Sequence, residues 1–267
     1  MFIWGVTGLT ISADSGFFVW VAFLFEKYYP LFITGASTTL GIALLATGAG
    51  FIIGLLAAIV RAVPASGPLL RRVPLRLSQW LVSAYVQVFR STPMIVQAMV
   101  IYYGMTQALG IRLNALLAGF IVVSINTGAY MAEMMRGGIQ SVDPGQSEAA
   151  RAIGMTHWQT MVSVVLPQAI RNILPSVGNE LVVNIKDTSV LNVIGVTELF
   201  FQGKSAAGTY LRYYEVFIII SLIYLVLVSG VSALLKLIER QMDGPENYTL
   251  SASQTMPEGI IPRGGER

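Results

Sequence analysis

The sequence predicts an all-α membrane protein, with five transmembrane helices, an N-terminal interfacial helix and short cytoplasmic helices. Three observations lead there. Only 12% of the 267 residues are charged and 54% are hydrophobic, whereas soluble domains average about 25% charged. Uncharged stretches of spanning length recur along the chain. The basic residues fall mainly in alternate connecting segments.

A spanning helix needs about 20 mostly apolar residues. Residues 16–25 are apolar but too short to cross, and they read as an interfacial helix leading into the first span. Tyr28 to Val60 is uncharged and forms span one. Leu77 to Phe89 and Ser91 to Ile111 form span two, interrupted by Arg90. Leu113 to Ala132 is span three, and Val216 to Leu235 is span five. Span four, Asn172 to Thr197, is apolar but carries Glu180, Lys186 and Asp187. The chain therefore divides into an N-terminal segment (1–30), a membrane domain (31–240) and a tail (241–267). The tail holds Gly, Pro, Ser and Glu with little that could pack, so it reads as disordered and cytoplasmic.

Five spans put the termini on opposite sides. Arg61, Arg71, Arg72, Arg76, Arg136, Arg151, Arg171, Lys236, Arg240, Arg263 and Arg267 lie in one set of loops, eleven in all. Lys27, Arg112, Lys204 and Arg212 make four in the other set. The positive-inside bias places the N-terminus outside and the C-terminus in the cytoplasm. No basic segment precedes the first apolar run and no cleavage site is evident, so no removed signal peptide is expected.

Composition also excludes chemistry. The absence of cysteine removes disulfides, thiolate metal sites and cysteine nucleophiles. His157 is the one histidine, so no histidine metal cluster forms within a chain. The net charge of +3 is spread over loops, which gives no footprint for nucleic acid. Gly203-Lys204-Ser205 resembles the end of a phosphate-binding loop, but Glu198 stands where its first glycine must be.

Between spans three and four lies a polar, small-residue segment, within a loop of residues 140–167. Asp143-Pro144-Gly145 is a turn signal. A short helix follows, capped by Ser147 or a neighbour and kept thin by Ala149, Ala150 and Ala152. Gly154 offers a stop, a second short helix fits Thr156 to Val164, and Pro167 opens span four. A thin helix suits insertion into a partner's groove; the plainer alternative is an amphipathic connector.

The spacing favours the first of these. Glu148-Ala149-Ala150, then Gly154, then Val164 and Leu166-Pro167 resembles the signature loop of permease subunits in binding-protein-dependent ATP-binding-cassette importers. Arg90-Ser91-Thr92-Pro93 with Gln97 is similar to the polar amino acid branch, whose members include histidine, glutamine and arginine permeases. So are Ala129-Tyr130 with Glu133, Arg136 and Gly137, and Asn184 with Lys186-Asp187-Thr188-Ser189. Val164 stands where isoleucine is more usual, and the tail is long for the family.

The resemblance implies a type I permease fold in a bacterial inner membrane. It implies that Glu148, Ala149, Ala150, Arg151, Gly154 and His157 contact a cytoplasmic ATPase. The expected partners are a cassette ATPase dimer, a second permease subunit (the same or a homologous chain), an external amino-acid-binding protein and membrane lipid, with no nucleic acid. The chain holds no cofactor on this reading, and ATP and magnesium belong to the ATPase. The chain is then not itself an enzyme.

Ionisable residues in spans are costly and usually face a cavity or a partner. Asn126, Tyr130 and Glu133 share one helix face by their spacing, as do Glu180, Asn184 and Asp187. Both faces are candidate walls of a solute path. Alternatives stand beside them: an interhelical hydrogen bond for Asn126, and an ion pair with Arg136 for Glu133. Lys186 and Asp187 point about 100° apart on a regular helix, so only local unwinding turns both to one cavity. Pro93 disfavours helical geometry at Thr92. Span two should break there, with Ser91 or Thr92 as cap and Pro93 as the first residue of a half-helix. Such an N-terminus attracts an anion, here a solute carboxylate beside Arg90; alternatively Arg90 reaches toward the headgroups. The candidate solute contacts are Arg90, Thr92, Gln97, Asn126, Tyr130, Glu133, Glu180, Asn184, Asp187 and Ser189. A secondary transporter or channel subunit without an ATPase is the competing reading, but the chain shows no internal repeat and a channel has no use for the docking segment.

Overall fold

The structure, a computed structural model, describes residues 3–4, 10–12, 15–63 and 68–242. The expected tail beyond Met242 lies outside the described residues. A two-residue antiparallel pairing, β1 (Ile3–Trp4) with β2 (Thr10–Ile11), precedes the helices. The rest is helical: α1 (Phe17–Ala62), α2 (Leu69–Ser91), α3 (Met94–Leu109), α4 (Ala115–Ser141), α5 (Pro144–Ala152), α6 (His157–Thr160), α7 (Leu166–Asp187), α8 (Leu199–Tyr210) and α9 (Tyr213–Met242). Three of these are long and apolar enough to cross a membrane: α1, α4 and α9.

The expected interfacial helix is not a separate element. Residues 17–25 are the first turns of α1, which runs unbroken for 46 residues through Pro30. At 1.5 Å per residue it is about 69 Å long, well beyond a hydrocarbon core of about 30 Å. Pro30 has no N–H for the helix ladder, yet its own carbonyl accepts a second donor, the Thr34 hydroxyl at 2.9 Å.

α1 and α4 form the most extensive helix pair. Gly50 and Gly54 make that approach possible. A Cβ at Gly50 would lie 2.6 Å from Thr127 Cγ2, and one at Gly54 2.8 Å from the Ala132 backbone nitrogen. Small residues four apart let helix backbones come close where lipid supplies no hydrophobic drive. α4 is consequently the buried centre, with 56% of its most apolar window covered, against 11% for α9 at the periphery.

α8 was not anticipated from the sequence. Glu198 caps it, accepting from the N–H groups of Phe200 (2.8 Å) and Phe201 (2.7 Å), and Tyr224 donates its hydroxyl to the same carboxylate (3.0 Å). Aromatic packing of Trp20, Phe23 and Tyr210 then fixes α8 against the start of α1.

Candidate functional site

The helix break at Arg90 to Pro93 is present, shifted by one residue. Ser91 ends α2, Thr92 is extended at φ −120°, and Pro93 is the residue before α3 rather than its first. No side chain caps the new helix. The Thr92 hydroxyl instead donates back to the Val88 carbonyl at 2.8 Å. Gln97 brackets the break from within: its amide donates to the carbonyls of Phe89 and Thr92 (both 2.9 Å) and to Thr92 Oγ1 (2.8 Å). Its own oxygen accepts from Asn126 Nδ2 at 2.9 Å. Gln97 and Asn126 are therefore buried and occupied by neighbours, which matches the interhelical alternative for Asn126.

Asn184 sits at a second buried junction, 2% exposed. Its amide donates to Thr47 on α1 (2.8 Å) and Thr127 on α4 (3.0 Å). One side chain thus ties α1, α4 and α7 together. Because Thr127 follows Asn126, α4 joins the α2–α3 break on one side to α7 on the other.

Toward the other end of α4, Glu133 meets three arginines from three helices. Arg136 binds one carboxylate oxygen through its Nε (2.7 Å) and Nη2. The other oxygen lies 3.4 Å from Arg61 on α1 and 4.0 Å from Arg90 on α2. Arg90 also lies over the Tyr130 ring, 5.6 Å from its centroid. Arg61 was missed as a member; in sequence it reads as one loop arginine among many.

Glu180 and Asp187 behave differently. Glu180 is buried and Asp187 exposed, and among the described residues neither forms a hydrogen bond or ion pair. α7 ends at Asp187 and tightens into a 3₁₀ segment, Thr188–Ile194, so the helix changes its winding immediately after Lys186 and Asp187. Ser189 lies in that segment, its carbonyl accepting from Asn192 at 2.7 Å.

On the loop between α4 and α7, Asp143 rather than Ser147 caps α5, accepting from the Gly145 N–H at 2.7 Å. Asp143 wins because Pro144 occupies the first helical turn with its φ already set. Glu148, Ala149 and Arg151 are exposed and Ala150 is buried. Gly154 has φ +86°, a value that suits glycine, and it turns the chain into α6. There Thr156 and Gln159 form a reciprocal capping box. The expected second helix over Thr156–Val164 divides into α6 and a π-helical turn, Met161–Val165, continuous with α7. His157, Trp158 and Ile153 are exposed on this loop.

A family of binding-protein-dependent transport system inner membrane components matches residues 50–244. The chain belongs to that family. It is 37% identical over 214 residues to the glutamine transport system permease protein GlnP of Escherichia coli (strain K12), covering 80% of this chain and 93% of that one. It is 32% identical over 213 residues to the arginine transport system permease protein ArtQ of Bacillus subtilis (strain 168), with the same coverage. Its fold aligns with a solved amino acid ABC transporter with histidines at TM-score 0.74 and 40% identity, covering 85% of this chain and 99% of the other. The MetNI methionine ABC transporter, at 23% identity and TM-score 0.68, shares the fold.

Proposed function

We propose that this chain is the permease subunit of an ATP-driven importer of polar amino acids delivered by an external binding protein. The observation that carries the reading is the loop from Asp143 to Val165. It presents Glu148, Ala149, Arg151 and His157 outward on two short helices, hinged at Gly154 and continuous with α7. A push on that loop reaches Glu180 and Asn184 along one helix.

On this reading the membrane is crossed five times, by α1, by α2 and α3 together, by α4, by α7 with the 3₁₀ segment, and by α9. The N-terminus is outside and the C-terminus in the cytoplasm. Two permease subunits form the core, and a cassette ATPase dimer binds ATP and magnesium and docks on the loop. The solute passes Glu180 and Asp187, which form no hydrogen bond or ion pair among the described residues, and Arg90 and Tyr130 beside the α2–α3 break. Gln97, Asn126 and Asn184 hold those walls in place.

The test is uptake of radiolabelled amino acids by the complex reconstituted with its ATPase and binding protein. Uptake requires ATP, and Glu148→Arg lowers it more than tenfold while the subunits still fold. Uptake that continues without ATP and collapses with an ion gradient overturns the reading.

A further inference from the structure

Two cavities adjoin where α1 and α4 end. The smaller, about 340 Å³, is walled by Arg61, Arg136 and Gln140. The larger, about 540 Å³, is mainly apolar, with Ile59, Val63, Trp158, Met161, Val162 and Leu166 among its walls. Ala58, Ala62 and Ile139 line both, so the two are compartments of one space. The larger volume lies in the range of sites that hold drug-sized ligands.

The two compartments differ in charge. Arg61, Arg90 and Arg136 face a single carboxylate, Glu133, and among the described residues no second acid joins them. The cluster carries a surplus of two positive charges, and two of its three guanidiniums wall the smaller compartment. Gln140 adds a carboxamide there, its oxygen already accepting from Arg136 at 2.9 Å and its N–H groups left to donate. The larger compartment offers mainly alkyl, thioether and indole surface, with Thr156 and His157 also among its walls, and is roofed by α6 and the π-helical turn.

We infer that this space binds an anionic phospholipid of the inner leaflet, its phosphate against Arg61 and Arg136 and one acyl chain lying beside Trp158 and Met161. The assignment rests on the reading of α1 and α4 as spans that end at the cytoplasmic face. A polar head beside an apolar chain matches an amphiphile, and the charge surplus selects an anionic one. Burial of acyl methylenes is favourable, so the apolar compartment supplies retention and the arginines supply selectivity. The lipid would hold the docking loop against α1 and α4 from the membrane side, leaving Glu148 free for a protein partner.

Trp158 is the natural reporter. The complete complex is placed in nanodiscs whose phosphatidylglycerol or phosphatidylcholine carries dibrominated chains. The Trp158 component is the difference between wild type and Trp158→Phe. Brominated phosphatidylglycerol is expected to quench it at least twofold more than brominated phosphatidylcholine at equal mole fraction. Arg61→Gln should reduce this preference to parity and Arg61→Lys should restore it. Ala62→Phe, which fills the shared wall without touching a charge, should remove quenching by both lipids. Equal quenching in the wild type overturns the inference, because the arginines then select no headgroup, and absence of quenching by either lipid overturns it, because protein of the assembly then covers the cavity. Full recovery of emission on adding soluble sn-glycerol 1-phosphate also overturns it, because the arginines then serve a free anion. The readout needs neither ATP nor solute, so failure of the import reading leaves it untouched.

Discussion

α4 and α7 carry the same polar pattern and use it in opposite ways. Asn126, Tyr130 and Glu133 repeat the spacing of Glu180, Asn184 and Asp187. On α4 every member is engaged within the chain: Asn126 by Gln97, Tyr130 by Arg90, Glu133 by three arginines. On α7 only Asn184 is engaged, and the carboxylates on either side of it form no hydrogen bond or ion pair among the described residues. Identical periodicity therefore places groups on a face but does not say whether the face is closed. A satisfied carboxylate is framework. An unsatisfied one in a membrane is costly, which under the proposed function makes Glu180 and Asp187 the candidates for contact with a solute or a second subunit.

That contrast can be broken or sharpened by substitution. The largest effect is expected for Glu180→Gln, which should lower ATP-driven uptake about tenfold, equivalent to about 1.4 kcal/mol, with the melting temperature of the detergent-solubilised complex nearly unchanged. If the melting temperature falls while uptake per folded molecule stays the same, Glu180 is framework after all. Glu133→Gln should do the reverse. It removes the carboxylate shared by three guanidiniums, two of them exposed, so the melting temperature should fall by only a few degrees with uptake per folded molecule nearly unchanged. Pairing it with Arg61→Gln should recover part of that loss in a double-mutant cycle of thermal unfolding.

A smaller effect is expected where α4 meets the α2–α3 break. Gln97→Leu leaves the Thr92 carbonyl without its side-chain donor, while the Asn126 amide keeps the Phe89 carbonyl at 3.3 Å, a cost of about 1 kcal/mol, visible as faster proteolysis near Pro93. Thr127→Val should cost least, about 0.6 kcal/mol as for other hydrogen bonds between membrane helices. Asn184 keeps Thr47, so a fall as large as that from Gln97→Leu would show that the junction fails as a unit.

Much of this arrangement is legible in the residues. Pro93 marks the helix break because proline constrains Thr92, and Gly154 marks the loop's turn because its φ is positive. The small-residue spacing from Glu148 to Gly154 points to the family. What stays hidden depends on tertiary contact. Nothing around Gln97 says that it reaches back across the break instead of outward. Arg61 looks like any loop arginine until α1 and α4 are side by side. Glu198 is an uncommon helix cap, so α8 goes unseen. Residues 16–25 read as a separate interfacial helix because the hydropathy signal is blind to a helix that continues through Glu26, Lys27 and Pro30.

The close seam at Gly50 and Gly54 also sets a schedule for biosynthesis. α1 is the first long helix made, yet the backbone that Gly54 packs against, at Ala132, follows 78 positions later in the chain. At roughly 5–20 residues per second of synthesis, α1 waits roughly 4–16 s in the membrane with its glycine face uncovered. During that interval α2 and α3 are the only later helices complete, so the central seam of this molecule closes only once α4, its buried centre, has been made.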